Sequence, residues 1–137
     1  MCALFPSLHL IVVVLLEAQD FYLALYDSAT GEVAFPYFVD ERTARPGSRR
    51  GQRGFTEYVI RQRRPCLINR EEALRLEALG EIEVQKESQR SWSWLGIPLF
   101  EGEEVRGILV VQSYSPEIGY TLRDQELLTF VSRPIDT

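Results

Sequence analysis

Between Ser91 and Tyr114 the chain reads SWSWLGIPLF, then EGEE, then VRGILVVQSY. Two apolar runs flank a short acidic segment with a glycine, which is the pattern of a β-hairpin. With Gly102 and Glu103 as the two turn residues, glycine stands first, where a type II′ turn needs φ > 0. In that register Phe100 faces Val105, Ile97 faces Ile108 and Leu95 faces Val110. One face of the hairpin then carries Leu95, Ile97, Ile108 and Val110, and the other carries Trp92, Trp94, Leu109 and Val111. Apolar residues on both faces need cover on both, so the hairpin belongs in the middle of a sheet. Gly96 and Gly107 fall on the tryptophan side, where something bulky must approach. The rest of the chain reads as cover for this hairpin.

The 137 residues suffice for one domain with a real core, residues 1–6 being a frayed terminus. A net charge of −5 argues against general nucleic-acid binding. Cys2 and Cys66 lack metal-ligand spacing and His9 is the sole histidine, which excludes a structural zinc site. With Cys2 in that terminus, a disulfide is a poor reading, and a reducing, cytoplasmic location fits better. Leu8 to Leu16 is apolar but too short to span a bilayer. It has no basic segment before it and no small-residue cleavage site after it, so it does not read as a signal peptide.

Ser7 opens a helix to about Ala18, with a stripe of Leu8, Ile11, Val12, Leu15 and Leu16. Leu10, Val13 and Val14 lie outside the stripe, so the helix is apolar nearly all round and wants burial on two sides. Val12 to Val14 also fits a strand. Phe21–Asp27 and Glu32–Asp40 form a second hairpin across residues 28–31, and Pro36, lacking a donor, puts its second strand at a sheet edge. Asp40 to Arg53 is a loop with five arginines, long for a compact domain. Phe55, Tyr58 and Val59 mark a short helix, Pro65 ends it, and Cys66 to Ile68 makes a strand. Asn69 with Glu72 forms a capping box for a helix to Leu79 that stops at Gly80. Thr121 with Asp124 caps a final helix carrying Leu122, Leu127, Leu128, Phe130 and Val131, which Pro134 interrupts. Hairpins dominate, so the domain is α+β with helices on the faces of an antiparallel sheet.

The runs DFYLALYD, FPYFVDE, GFTEYVIRQRRP, SWLGIPLF with VRGILVVQSY, and YTLRDQELLTFVS together resemble a GAF domain, over about Ser7 to Ile135. The resemblance is nearest to those of bacterial sensor histidine kinases and diguanylate cyclases. It implies a PAS-related sheet of five to six strands in the order 2-1-5-4-3. The first and last helices would lie on one face and the short helices on the other. It further implies a small-molecule sensor coupled to an output module, and a homodimer through the first and last helices. Such domains often place glycine where this chain has Arg63. If that position is left-handed, arginine costs about 1 kcal/mol there. The family's last helix usually continues into a signalling linker, so the chain reads as a fragment or a degraded gene.

Cys66 is the one thiol near the cavity-forming segments of such a domain, and burial habits make it a core residue rather than a tetrapyrrole attachment point. Haem would want an axial histidine, and His9 lies on the first helix away from that cavity. GAF-like methionine sulfoxide reductases use several closely spaced cysteines, which Cys2 and Cys66 do not supply. The arginines at 42, 45, 49, 50, 53, 61, 63 and 64 suit an anion site or a solvated loop. Without interleaved stacking aromatics they do not suit nucleic acid. Phe35, Tyr37, Arg53, Tyr58, Trp92, Trp94 and Gln112 are the expected ligand-binding residues, in a cavity roofed by Gly54–Gln62 and Arg70–Leu79. The cofactor is unknown from the sequence, and no catalytic or metal-binding set is expected.

Overall fold

The computed structural model describes residues 10–13, 20–40, 47–50, 53–83 and 92–132. Expectations for Cys2, Leu8, His9, Val14, Leu15, Leu16, Arg42, Arg45 and Pro134 lie outside those residues. After a helical stretch at residues 10–13 come β1 (Asp20–Asp27) and β2 (Glu32–Val39), then α1 (Phe55–Gln62). β3 (Cys66–Asn69), α2 (Arg70–Ala78), β4 (Ser93–Glu101), β5 (Glu104–Ser113) and α3 (Leu122–Ser132) complete the order. The strands form one antiparallel sheet in the order β2-β1-β5-β4-β3. This is the expected α+β architecture, with five strands among the described residues and the β4–β5 hairpin inside the sheet. α1 and α2 cover one face through Phe55, Tyr58, Val59, Ala73 and Leu76. Residues 10–13 and α3 cover the other through Val12 and Leu128.

The turn is as read: Gly102 has φ +63°, and Phe100 pairs with Val105. The rest of the hairpin register is not. Leu99 pairs with Gly107, Ile97 with Leu109 and Leu95 with Val111. Arg106 is the extra residue of a β-bulge between Val105 and Gly107, and a one-residue slip moves every later side chain to the opposite face. Leu95, Ile97 and Leu99 therefore share the α3 face with Leu109 and Val111, while Trp94 faces α1 beside Ile108 and Val110. Gly107 moves with them: a Cβ there would meet the Leu99 side chain, away from the tryptophans, and would lie 3.0 Å from the Ala24 carbonyl oxygen. Gly96 does lie on the tryptophan side, and the bulky group above it is Trp94 itself. Its ring would be 2.5 Å from a Cβ at residue 96.

β2 is the edge strand, as Pro36 requires. Leu23 pairs with Tyr37 and Leu25 with Ala34, so β2 carries one residue more than β1 around Pro36, where a missing donor is tolerated. That bulge sends Phe35 and Tyr37 to opposite faces. The first helix also differs from its stripe: Val12 is fully buried, while Ile11 is 48% exposed and Leu10 70%. A helix apolar on every side does not encode which side turns inward.

Helix ends follow local chemistry. Asn69 Oδ1 accepts from Glu72 N at 2.8 Å, although the Glu72 carboxylate turns to Arg75 instead of completing the box. α2 ends in a Schellman motif, with Gly80 N donating to Glu77 O and Glu81 N to Leu76 O, and Gly80 at φ +76°. The Thr121–Asp124 box of α3 is reciprocal. α1 ends on Arg63 in the left-handed region, at φ 59° and ψ 32°. Its guanidinium donates to Glu103 O and lies 5.9 Å from the Phe100 ring centroid, tying α1 to the β4–β5 turn. Arg63→Gly and Arg63→Ala both lose that tie but only glycine relieves the backbone. The glycine variant should be the more stable of the two by about 1 kcal/mol in urea unfolding.

Candidate functional site

The α1/α2 face of the sheet is built from rings. Tyr22 on β1 meets Phe35 edge-on at 5.8 Å and stacks on Phe38 at 5.0 Å, and Phe55 tilts against Trp94 at 5.3 Å. A buried polar chain runs through them. The Tyr22 hydroxyl and Thr56 Oγ1 are 2.7 Å apart, and the Trp94 indole N–H donates to the same phenol. Burial pushes the Tyr22 phenol up to about 12, against the pull of the Thr56 bond and the Arg49 charge. A hydrogen-bonded, neutral phenol is the form such a site tolerates.

Toward the strand ends where β1 starts and β5 finishes, this face turns polar. Gln112 lies between Asp20 on β1 and Trp94 on β4. Its amide donates to Asp40 Oδ2, and the Tyr114 hydroxyl donates to the same carboxylate at 2.9 and 3.0 Å. Asp20 is buried alongside. At the start of β4, where Trp92 N donates to Ser113 O, the Arg70 guanidinium lies 3.9 Å over the Trp92 ring, and Trp92 is 39% exposed. Donors, acceptors and an accessible aromatic surface thus border an apolar wall, which is the usual make-up of a small-molecule site.

Of the expected ligand-binding residues, Phe35, Tyr58 and Trp94 meet in the ring cluster, with Gln112 and Trp92 at its polar end. Tyr37 does not join them: the bulge at Pro36 turns it to the α3 face, edge-on to Phe21 at 5.8 Å. Arg53 is exposed and donates to Gly80 O at 2.7 Å, while its own carbonyl accepts from Glu83 N. Tyr22, Thr56, Asp40, Tyr114 and Arg70 were not singled out from the sequence. The one available signal was the alternation of DFYLALYD and FPYFVDE, which puts Asp20 in phase with Tyr22 and Asp40 with Phe38.

Four of the described arginines bond to the protein itself. Arg49 forks onto Glu57 at 2.7 and 2.8 Å, Arg61 donates to Glu81 O, and Arg63 reaches Glu103 O. Two of them, Arg53 and Arg61, converge on the C-terminal end of α2, where carbonyls carry the negative end of the helix dipole. Cys66 is buried, and its thiol donates to Arg64 O at 3.3 Å. Burial pushes that thiol up to about 11, against the pull of Arg64, so it is protonated at neutral pH and a poor nucleophile. No group of three or more His, Cys, Asp or Glu able to hold a metal is present among the described residues. None of the described helices is long and apolar enough to cross a membrane.

The family model described as GAF domain matches residues 7–136. No curated protein matches. Among solved structures the chain is similar to the GAF domain of a two-component sensor histidine kinase from Bacillus halodurans. The TM-score is 0.70 at 12% identity, over 96% of this chain and 87% of that one. A type II free methionine-R-sulfoxide reductase from Thermoplasma acidophilum gives 0.71 at 11% identity, over 96% and 85%. A methyl-accepting chemotaxis protein gives 0.71 at 13%, over 98% and 85%. At such identities the likeness is one of fold.

Tyr22 and Cys66 set an alkaline limit on stability. Both groups hold their protons longer folded than unfolded, so their contribution is complete at low pH and is lost as pH rises. The Cys66 part should fade between about pH 9 and 11 and the Tyr22 part between about 10 and 12, each by about 2–3 kcal/mol. Unfolding followed against pH should show this decline. Cys66→Ala should remove its lower portion and Tyr22→Phe its upper one.

Proposed function

The chain belongs to the GAF domain family, and on that premise we propose that it is a small-molecule-sensing regulatory domain of a bacterial signalling protein. It couples ligand binding to an attached output module of the histidine kinase or diguanylate cyclase kind, in the cytoplasm. The observation that carries the reading is the polar end of the α1/α2 face. There Asp40, Gln112 and Tyr114 form one hydrogen-bonded group, and Trp92, at the start of the neighbouring β4, lies under Arg70. The ligand sits against Trp92 and Gln112, with the Phe35, Tyr58 and Trp94 wall beneath it. Because Arg49, Arg53, Arg61 and Arg63 already have protein acceptors, these four serve as scaffold rather than as the ligand's anion site.

A non-enzymatic role suits Cys66. A reductase of the sulfoxide type attacks with a thiolate, whereas this thiol stays protonated and is buried. A second reading, dimerisation and signal relay without a ligand, is favoured by the opposite side of the domain. There Leu122 and Phe130 on α3 are 69% and 64% exposed, and Leu10 is exposed on the first helix. The two readings combine if a homodimer forms through the first and last helices, with an isologous contact.

Thermal shift with a panel of amines, amino acids, organic acids and nucleotides is the test. A binder should raise the melting temperature by several degrees at concentrations far above its dissociation constant. Gln112→Ala and Tyr114→Phe should remove the shift. A panel without any shift on folded protein would leave the relay reading. For that reading, Val13→Glu or the more exposed Phe130→Glu should convert a sedimenting dimer into a folded monomer. A wild-type monomer at high concentration would refute the dimer.

A further inference from the structure

α1 is eight residues long, too short to persist as a helix in water on its own. What fastens it therefore decides how open the ring cluster beneath it is. Phe55, Tyr58 and Val59 supply apolar contact, and Thr56 supplies the bond to Tyr22. The last turn is tied down through Arg61 and Arg63. The first turn depends on Glu57. Its Oε1 accepts from Gly54 N at 3.1 Å and from Arg49 Nη2 at 2.8 Å, and its Oε2 accepts from Arg49 Nε at 2.7 Å.

Arg49 is itself anchored to the edge strand. Its backbone exchanges hydrogen bonds with Val33 at 2.7 and 2.9 Å, and its guanidinium lies 5.0 Å over the Phe35 ring. Gly54 leaves room for this arrangement: a Cβ there would stand 3.1 Å from Glu57 Oε1 and 3.2 Å from Arg49 Nη2. The fork thus joins three things in one place, the N-terminus of α1, the β2 edge and a ring of the site wall. With side chains 30% and 11% exposed, it is within reach of water and salt, unlike the apolar contacts behind it.

We propose that the Arg49–Glu57 fork is a catch for α1. Closed, it holds the first turn over Tyr22 and Trp94. Released, it lets that turn lift about the fixed last turn and opens the ring cluster from the β2 side, while the sheet stays folded. Arg49 and Glu57 are positioning residues, acting on the site through α1. The regulatory meaning of the catch rests on the ligand reading above, whereas its mechanical action can be measured without any ligand.

Amide exchange on the full chain separates local opening from global unfolding. Glu57→Gln keeps the shape and removes the charge. It is expected to speed exchange of Tyr58 to Ile60 about tenfold, through an opening that depends far less on urea than the exchange of Leu109 to Val111 does. Arg49→Lys keeps the charge but loses the fork, and should fall between wild type and Glu57→Gln. In a Trp92→Phe background, acrylamide should quench Trp94 more strongly in both variants. Unmodified protein in 1 M NaCl, where no variant has to fold, should show the same selective rise. Exchange of Tyr58 to Ile60 with the urea dependence of Leu109 to Val111, or no acceleration in Tyr58 to Ile60, would overturn the catch.

Discussion

β5 pairs with β1 on one side and β4 on the other, and its residues 108–111 are fully buried. Every other element is placed relative to that strand, so the constraint that matters most is which way its side chains point. The bulge at Arg106 decides it. With the extra residue just after the turn, Ile108 and Val110 face α1 and α2 while Leu109 and Val111 face α3. The same slip turns Trp94 toward α1 and into contact with Phe55 and the Tyr22 hydroxyl. The ring cluster depends on one inserted arginine, whose side chain pairs with Glu101 at the surface.

A second layer of order comes from guanidinium groups. Arg49, Arg53, Arg61 and Arg63 reach a carboxylate or backbone carbonyls on elements well separated in sequence. Exposed ion pairs and charge-assisted bonds each add little stability. What they supply here is placement, because short helices on a sheet face have few other means of fixing both ends. Arg63 shows the cost accepted for placement: it occupies a left-handed position that glycine would fill more cheaply, and reaches the β4–β5 turn from it.

The ring cluster and the polar end divide the α1/α2 face into two parts. The cluster is apolar and filled by its own side chains, with Tyr22 kept neutral by burial and satisfied by Thr56 and Trp94. The polar end places an acid, an amide and a phenol in one hydrogen-bonded group, and sets an accessible indole at the start of the neighbouring β4. Recognition of a small molecule draws on groups of the second kind, with the first as a wall. α1 covers the apolar part through Phe55, Tyr58 and Val59.

Much of this was legible in the residue order because it is local. The II′ turn at Gly102, the edge position of Pro36, the α2 stop at Gly80 and the Thr121 cap follow from backbone chemistry within a few residues. The strand order came from the resemblance to a family, and Phe35, Tyr58 and Trp94 were placed together because their strands and helix were correctly found. The bulges at Arg106 and Pro36 were not legible. Inserting one residue leaves the apolar pattern unbroken when both faces are apolar, so nothing in the sequence marks the slips that exchanged the hairpin faces and turned Tyr37 to the α3 face. The inward side of the first helix was hidden for the same reason, and only packing against Phe21 and Leu128 selected Val12. The residue order left the arginines between an anion site and a solvated loop, because the acceptors of Arg53, Arg61 and Arg63 are Gly80 O, Glu81 O and Glu103 O, backbone atoms that any residue could offer. Which carbonyl stands opposite which guanidinium is decided by tertiary structure alone.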